Sequence, residues 1–206
     1  MEGYGPQLPN LPQIPQIPLM PQQQQQQAQG DQAQQGNVWM PGATTVGAVF
    51  KVTDRIGVAC AGLIGDMQIL AKEMEAQANL YSMDVGRKIS VRSAAKLMAN
   101  VLFNRRYAPL FTQTIVGGLD EDGASLYILD VLGSLIPDKY AVVGSGTEIA
   151  MGVLEEGYKE TMNAHEAKEL ITRSIKSAIS RDSMSGDGID FLIITKAGIV
   201  EESIKF

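Results

Sequence analysis

Three stretches of the sequence gather groups capable of chemistry. In PGATTVGAVFK, residues 41–51, the hydroxyls of Thr44 and Thr45 follow Gly42 and Ala43 at the head of an apolar, β-branched run. A hydroxyl just after a glycine-containing peptide bond, behind a removable tail, can attack the preceding carbonyl and release that tail. The freed α-amine then serves as its general base, a role that suits a group with an ordinary pKa of about 8. RDSMSGDGID, residues 181–190, crowds hydroxyls, carboxylates and glycines between a helix and a strand. Read alone it is an ordinary Gly-rich connection, because the alternating oxygen ligands and terminal glutamate of a calcium loop are not at the required offsets. GSGTEIAMG, from Gly144, has the look of a phosphate loop, but the third glycine of a dinucleotide fingerprint would fall at Ile149 and no Lys-Ser/Thr follows. A tight strand-to-helix turn is the favoured reading there.

The remaining candidates are weaker. Cys60 sits within the apolar run IGVACAG, where a buried inert thiol is expected, and the single histidine, His165, falls in the first turn of a polar-faced helix, where exposure is expected. A Cys-His nucleophilic pair therefore needs both residues elsewhere, and a Ser-His-Asp triad has only the same histidine to use. One cysteine excludes an internal disulfide framework, and one histidine leaves no ordinary zinc spacing. No metal and no cofactor is expected.

The elements that must position these groups follow from periodicity. TTVGAVFKV and IGVACAG, around Thr53-Asp54-Arg55, read as a hairpin. DMQILAKEMEAQANLYSM carries Met67, Leu70, Met74, Ala78 and Tyr81 at three- and four-residue spacings, with Asp66 as the expected N-cap. Ser90 is expected to cap a second helix that presents Ala94, Leu97, Met98, Val101 and Leu102, a stripe read as core. A meander of FTQTIVGGL, SLYILDV and KYAVVGSG follows, with turns at residues 120–123 and at Gly133. Two more helices come next, the second opening with a capping box of Asn163 and Glu166, and DFLIITKAGIVEE closes the chain as a hairpin. This order suggests stacked sheets covered outside by helix pairs.

Composition bounds the function. With Lys+Arg 17 against Asp+Glu 23 in 206 residues, there is no basic field for a phosphate backbone, so nucleic acid is not expected as a partner. The N-terminal region lacks positive charge and a continuous apolar stretch, and no segment approaches membrane-spanning length; a soluble, cytoplasmic protein without a membrane partner is expected. Residues 1–42 form one compositional unit. Pro6, Pro9, Pro12, Pro15, Pro18 and Pro21 recur every third residue, the period of polyproline II, and a glutamine run spans Gln22–Gln27. Such a segment buries too little apolar surface to offset its ordering entropy, and reads as a disordered spacer or removable leader rather than a ligand for an aromatic groove.

Residues 43–206 resemble the β-type subunits of the proteasome core particle, most closely the archaeal ones. The resemblance rests on TTVG at 44–47, TDRIGVACAGLIGDMQ at 53–68, LYSMDVGRKISV at 80–91, IVGGLDEDGASLYILD at 115–130, VGSGTEIAMGVLE at 143–155 and RDSMSGDGID at 181–190. It implies an α+β fold, the four-layer αββα sandwich of the N-terminal nucleophile hydrolases. It also implies stacked seven-membered rings with other β-type and α-type subunits, and an ATP-independent chamber that degrades unfolded polypeptides to peptides. Carried over residue by residue, Ser145 stands near the nucleophile's amine, and Asp182 and Ser185 match the pair that orients the active threonine. Ala61 and Gly62 match the segment that lines the specificity pocket and binds substrate backbone, and the Gly62 N–H matches the oxyanion donor.

Two departures accompany the resemblance. The family's leader ends in glycine before a Thr-Thr-Thr-Val-Gly run, so aligning Val46 and Gly47 puts Gly42 before the cut and Ala43 on the nucleophile position. Alanine has no Oγ, and losing the covalent route costs on the order of a millionfold in rate. Self-cleavage at Gly42 should fail as well. Cleavage before Thr44 would make that residue the nucleophile instead, at the cost of shifting the strand by one position and reversing its facing. Second, Lys51 runs almost directly into Val52-Thr53-Asp54-Arg55. On the family's spacing about two dozen residues bearing its catalytic aspartate and lysine are missing, which would truncate the first sheet by two short strands. A deletion between VFK-like repeats, mis-splicing or engineering would produce this. The chain is thus expected to be a catalytically inactive, structural β-type subunit; the rivals are an active threonine endopeptidase and, in another class, a scaffold that recruits partners through the PxxP and glutamine leader.

Overall fold

The computed structural model describes residues 47–205. The chain divides into two units at Trp39–Met40, and the described residues all belong to the second. The proline repeat, the glutamine run, Gly42, Ala43 and Thr44 lie outside the described residues.

Eleven elements follow one another: β1 (Gly47–Lys51), β2 (Ile56–Gly62), α1 (Ile64–Val85), α2 (Val91–Asn104), β3 (Thr112–Asp120), β4 (Gly123–Leu129), β5 (Leu135–Asp138), α3 (Thr147–Gly157), α4 (Ala164–Ile179), β6 (Gly188–Thr195) and β7 (Gly198–Lys205). The first five strands form an antiparallel sheet in the order β1-β2-β3-β4-β5, and β6 and β7 form a hairpin. Helices and antiparallel sheets together make an α+β fold.

The run IGVACAG explains how β2 serves both of its faces. Alternate residues point to opposite sides of a sheet, and here Ile56, Val58 and Cys60 enter the buried core while Gly57, Ala59 and Ala61 leave a thin opposite face. Strand β6 occupies that thin face closely enough that a Cβ on Gly57 would stand 2.1 Å from Leu192 Cδ2 and 3.4 Å from Ile194 Cδ1. On the thick side, α1 and α2 contribute Met67, Leu70, Met74, Ala78, Val91, Ala94, Met98 and Leu102, which join Val116 and Leu129 in one core. The methionine stripe is therefore packing material. Tyr81, Leu97 and Val101 are only partly buried and pack against its rim.

Several expectations hold at the level of single hydrogen bonds. The Ser90 side chain accepts the Ser93 N–H, and Asn163 and Glu166 form the reciprocal capping box of α4. The hairpins β1–β2 and β6–β7 form as the patterns imply.

Two expectations need correction. Asp66 does not cap α1. The helix starts at Ile64 with Leu63 as its N-cap, because the Leu63 N–H is drawn to the Phe111 carbonyl at 2.9 Å; the Asp66 carboxylate instead accepts the Phe111 N–H at 2.8 Å. The third meander strand is Leu135–Asp138, not KYAVVGSG. Pro137 is tolerated there because β5 is the edge of its sheet, where a missing N–H goes unneeded. Residues 139–146 pair with no strand among the described residues.

Truncating Met98, which is fully buried, should lower unfolding free energy by about 2–5 kcal/mol in Met98→Ala. Asn163→Ala, which removes only a cap, should cost about 1 kcal/mol. Urea denaturation followed by circular dichroism checks both; equal losses would contradict the core assignment.

Candidate functional site

Ser145 reaches its position through a glycine-framed turn. Gly144 adopts φ +111°, a region that disfavours side chains, and its carbonyl accepts the Thr147 hydroxyl at 2.6 Å, closing the turn into α3. Gly146 is the N-cap of α3 and is buried. A Cβ there would stand 2.9 Å from Ala178 Cβ and 3.4 Å from Ser185 Oγ, so the turn lies flat against the end of α4 only because the residue is glycine.

Asp182 follows the last turn of α4, where its N–H donates to the Ala178 carbonyl at 2.7 Å. Its carboxylate gathers three donors. The Ser145 hydroxyl donates to Oδ2, the Ser185 hydroxyl donates to the same oxygen at 2.7 Å, and the Met184 N–H donates to Oδ1 at 3.2 Å. The Ser145 hydroxyl first, and then that of Ser185, hold the Asp182 carboxyl below its ordinary value of 3.8. The loop thus carries an ionised carboxylate whose two serine hydroxyls have their protons committed to it, leaving their lone pairs to accept from an incoming amine or hydroxyl.

Ala61 and Gly62 end β2, opposite Gln113 and Thr112 of β3. Gly62 has φ +144°, and a Cβ there would fall 2.1 Å from the Phe111 carbonyl oxygen, so no other residue fits. A cavity of about 320 Å³ opens beside them, lined by Ala61, Gly62, Phe111, Gln113, Val131 and Ser145 among others. The structure therefore brings Ala61, Gly62 and Ser145 to one cavity, and sets Asp182 and Ser185 behind Ser145. Ala43, Thr44 and the Gly42 cleavage position lie outside the described residues, but β1 begins at Gly47 paired with Ala61, so the chain enters the sheet at its cavity end.

Cys60 and His165 stand apart. Cys60 is buried against Thr114, whose hydroxyl lies 3.6 Å from Sγ, and burial pushes its thiol above the ordinary value. His165 is exposed on α4 and faces Glu169 at 3.8 Å. A wider groove of about 700 Å³ along α4 is lined by His165 but by none of the residues that the resemblance assigns to the site. Among the described residues no cluster of His, Cys, Asp and Glu could hold a metal ion, and no helix is long and apolar enough to cross a membrane. Phe111, Gln113 and Val131 were not singled out from the sequence. Phe111 and Gln113 alternate outward at the start of a strand, which is all the signal a single sequence offers for them.

The depressed Asp182 carboxyl makes a pH prediction with a definite sign. Because the folded value lies below the unfolded one, the stabilising contribution is complete above about pH 4 and fades as pH falls through the depressed value. Asp182→Asn should remove that acid dependence of the melting temperature, whereas a curve unchanged from the parent below pH 4 would show that the carboxylate contributes none of it.

The model of the family described as "Proteasome subunit" matches residues 38–194. The chain is 48% identical over 162 residues to "Proteasome subunit beta 1" of Hyperthermus butylicus, covering 78% of each chain. It is 44% identical over 157 residues to "Proteasome subunit beta 2" of Pyrobaculum arsenaticum, covering 76% of this chain and 77% of that protein. It is 46% identical over 163 residues to "Proteasome subunit beta 1" of Nitrosopumilus maritimus, covering 78% and 82%. A match of this length and identity shows that the chain belongs to the proteasome subunit family as a β-type subunit.

Proposed function

We propose that this chain is a structural β-type subunit of the proteasome core particle, with a site that retains its supporting groups but lacks its nucleophile. The observation that carries the reading is the contrast between an intact Ser145–Asp182–Ser185 cluster and the methyl group of Ala43 at the position where an attacking hydroxyl belongs. In this reading residues 1–42 are a leader and residues 43–206 the subunit domain, whose two sheets stack between helix pairs in an αββα arrangement. The close approach of Leu192 to Gly57 supports that stacking. The partners are α-type and other β-type subunits in stacked rings, the chamber they enclose admits unfolded polypeptides, and the assembly is cytoplasmic. No metal or cofactor takes part.

The mechanism of an active neighbour clarifies what is lost. An N-terminal threonine hydroxyl attacks a peptide carbonyl while its α-amine takes the proton; the amine returns that proton to the leaving amine as the peptide bond breaks, and water later hydrolyses the acyl-enzyme. Ser145 would face that amine, the Asp182 loop would orient it, and the Gly62 N–H would receive the developing oxyanion. With Ala43 there is no oxygen to attack and no route to free the amine by self-cleavage.

A second reading, an active threonine endopeptidase with Thr44 as nucleophile, is favoured by the completeness of the surrounding cluster. Intact-mass measurement and a fluorogenic peptide assay separate the two. The inactive reading predicts a full-mass chain with its leader attached and turnover reduced on the order of a millionfold relative to an active subunit; a mature N-terminus at Thr44 with peptide hydrolysis would overturn it. Native mass spectrometry with α-type subunits should show the chain incorporated into rings.

A further inference from the structure

Ser145 stands in a turn that belongs to no strand, which raises the question of what holds it against the cavity wall. On the helix side the anchor is the hydrogen bond from Ser145 to Asp182. On the sheet side the Gly144 carbonyl is consumed by the turn itself, accepting from the Thr147 N–H and hydroxyl. The Gly144 N–H reaches outward. It donates to Oε1 of Gln113 at 3.2 Å, across 31 positions of sequence. An N–H can meet only the oxygen of a side-chain amide, so this bond also fixes which way the Gln113 amide faces.

Gln113 in turn has a rigid base. It is the cross-strand partner of Ala61 in the β2–β3 ladder, one residue from the Thr112–Gly62 pair, and it lines the same cavity. A single side chain therefore links the strand end that carries Ala61 and Gly62 to the turn that carries Ser145. We propose that Gln113 is the positioning residue of this site, fixing the Gly144–Ser145–Gly146 turn relative to the β2 strand end. The proposal rests on the reading of Ser145, Asp182 and Ser185 as the supporting groups of the site. Its consequence is that the separation between Ser145 and the Gly62 N–H is set by a two-bond span, Ala61 to Gln113 and Gln113 to Gly144, rather than by a continuous sheet.

The test uses the full-length chain and two readouts independent of turnover, so it stands apart from the question of which residue, if any, is the nucleophile. Gln113→Met keeps the side-chain length and removes the acceptor, while Gln113→Glu keeps the acceptor. In Gln113→Met, amide exchange at Gly144 should accelerate about five- to tenfold, the worth of one ordinary hydrogen bond, with the melting temperature lowered by no more than the few degrees that one such bond accounts for. Gln113→Glu should restore the parent protection. The second readout is the carboxyl NMR titration of Asp182, whose carboxylate accepts from two hydroxyls and one backbone N–H. Its midpoint should rise toward 3.8 in Gln113→Met and in Ser145→Ala, and the double variant should rise no further than Ser145→Ala alone. Unchanged Gly144 exchange in Gln113→Met overturns the proposal, and so does an Asp182 midpoint that does not move in that variant, which would make Gln113 a general stabiliser.

Discussion

The alternation in IGVACAG is the constraint on which the rest of the described structure depends. Ile56, Val58 and Cys60 supply bulk to the helix-covered side of the sheet, and Gly57, Ala59 and Ala61 withhold it from the other. A sheet can be packed on both faces only if its interior strands satisfy both at once. Here the small residues let β6 descend onto β2, and the same smallness at Ala61 and Gly62 leaves the opening at the strand end. Core and cavity thus come from one seven-residue pattern read on its two sides.

The site is built at a junction of three otherwise separate pieces. The end of β2, the turn before α3 and the loop after α4 come together without sharing a ladder, and are joined by side-chain hydrogen bonds to Gln113 and Asp182. Glycine makes each approach possible. Gly62, Gly144 and Gly146 sit where a Cβ would strike a neighbour or where the backbone has turned left-handed. The polar bonds then fix a geometry that sterics only permit.

Much of this was legible in the sequence because it is local. The caps at Ser90 and Asn163, the hairpins at both ends, the methionine core and the burial of Cys60 each follow from residues a few positions apart. What escaped depends on distant partners. Asp66 looks like a cap in isolation and serves instead as an acceptor for Phe111, 45 positions away. The edge strand β5 is defined by its pairing with β4 rather than by a pattern of its own, which is why the sequence pattern points to KYAVVGSG in its place. The roles expected of Ser145, Asp182 and Ser185 rest on family resemblance, and their hydrogen bonds through Asp182 become visible only in three dimensions, since nothing in the spacing of 145 and 182 announces that they touch.

The pairing of β1 has a consequence for any attempt to restore the residues that the resemblance implies between Lys51 and Val52. Lys51 faces Gly57, whereas Gly47 faces Ala61, so the junction lies at the far end of the strand from the cavity, about 14 Å away at the rise of an antiparallel strand. Val52 and Thr53 both donate to the Ile56 carbonyl in a tight turn that leaves no slack there. A hairpin restored at that turn would start at the strand end remote from the cavity, and would have to run back along the sheet to bring a lysine near Ser145.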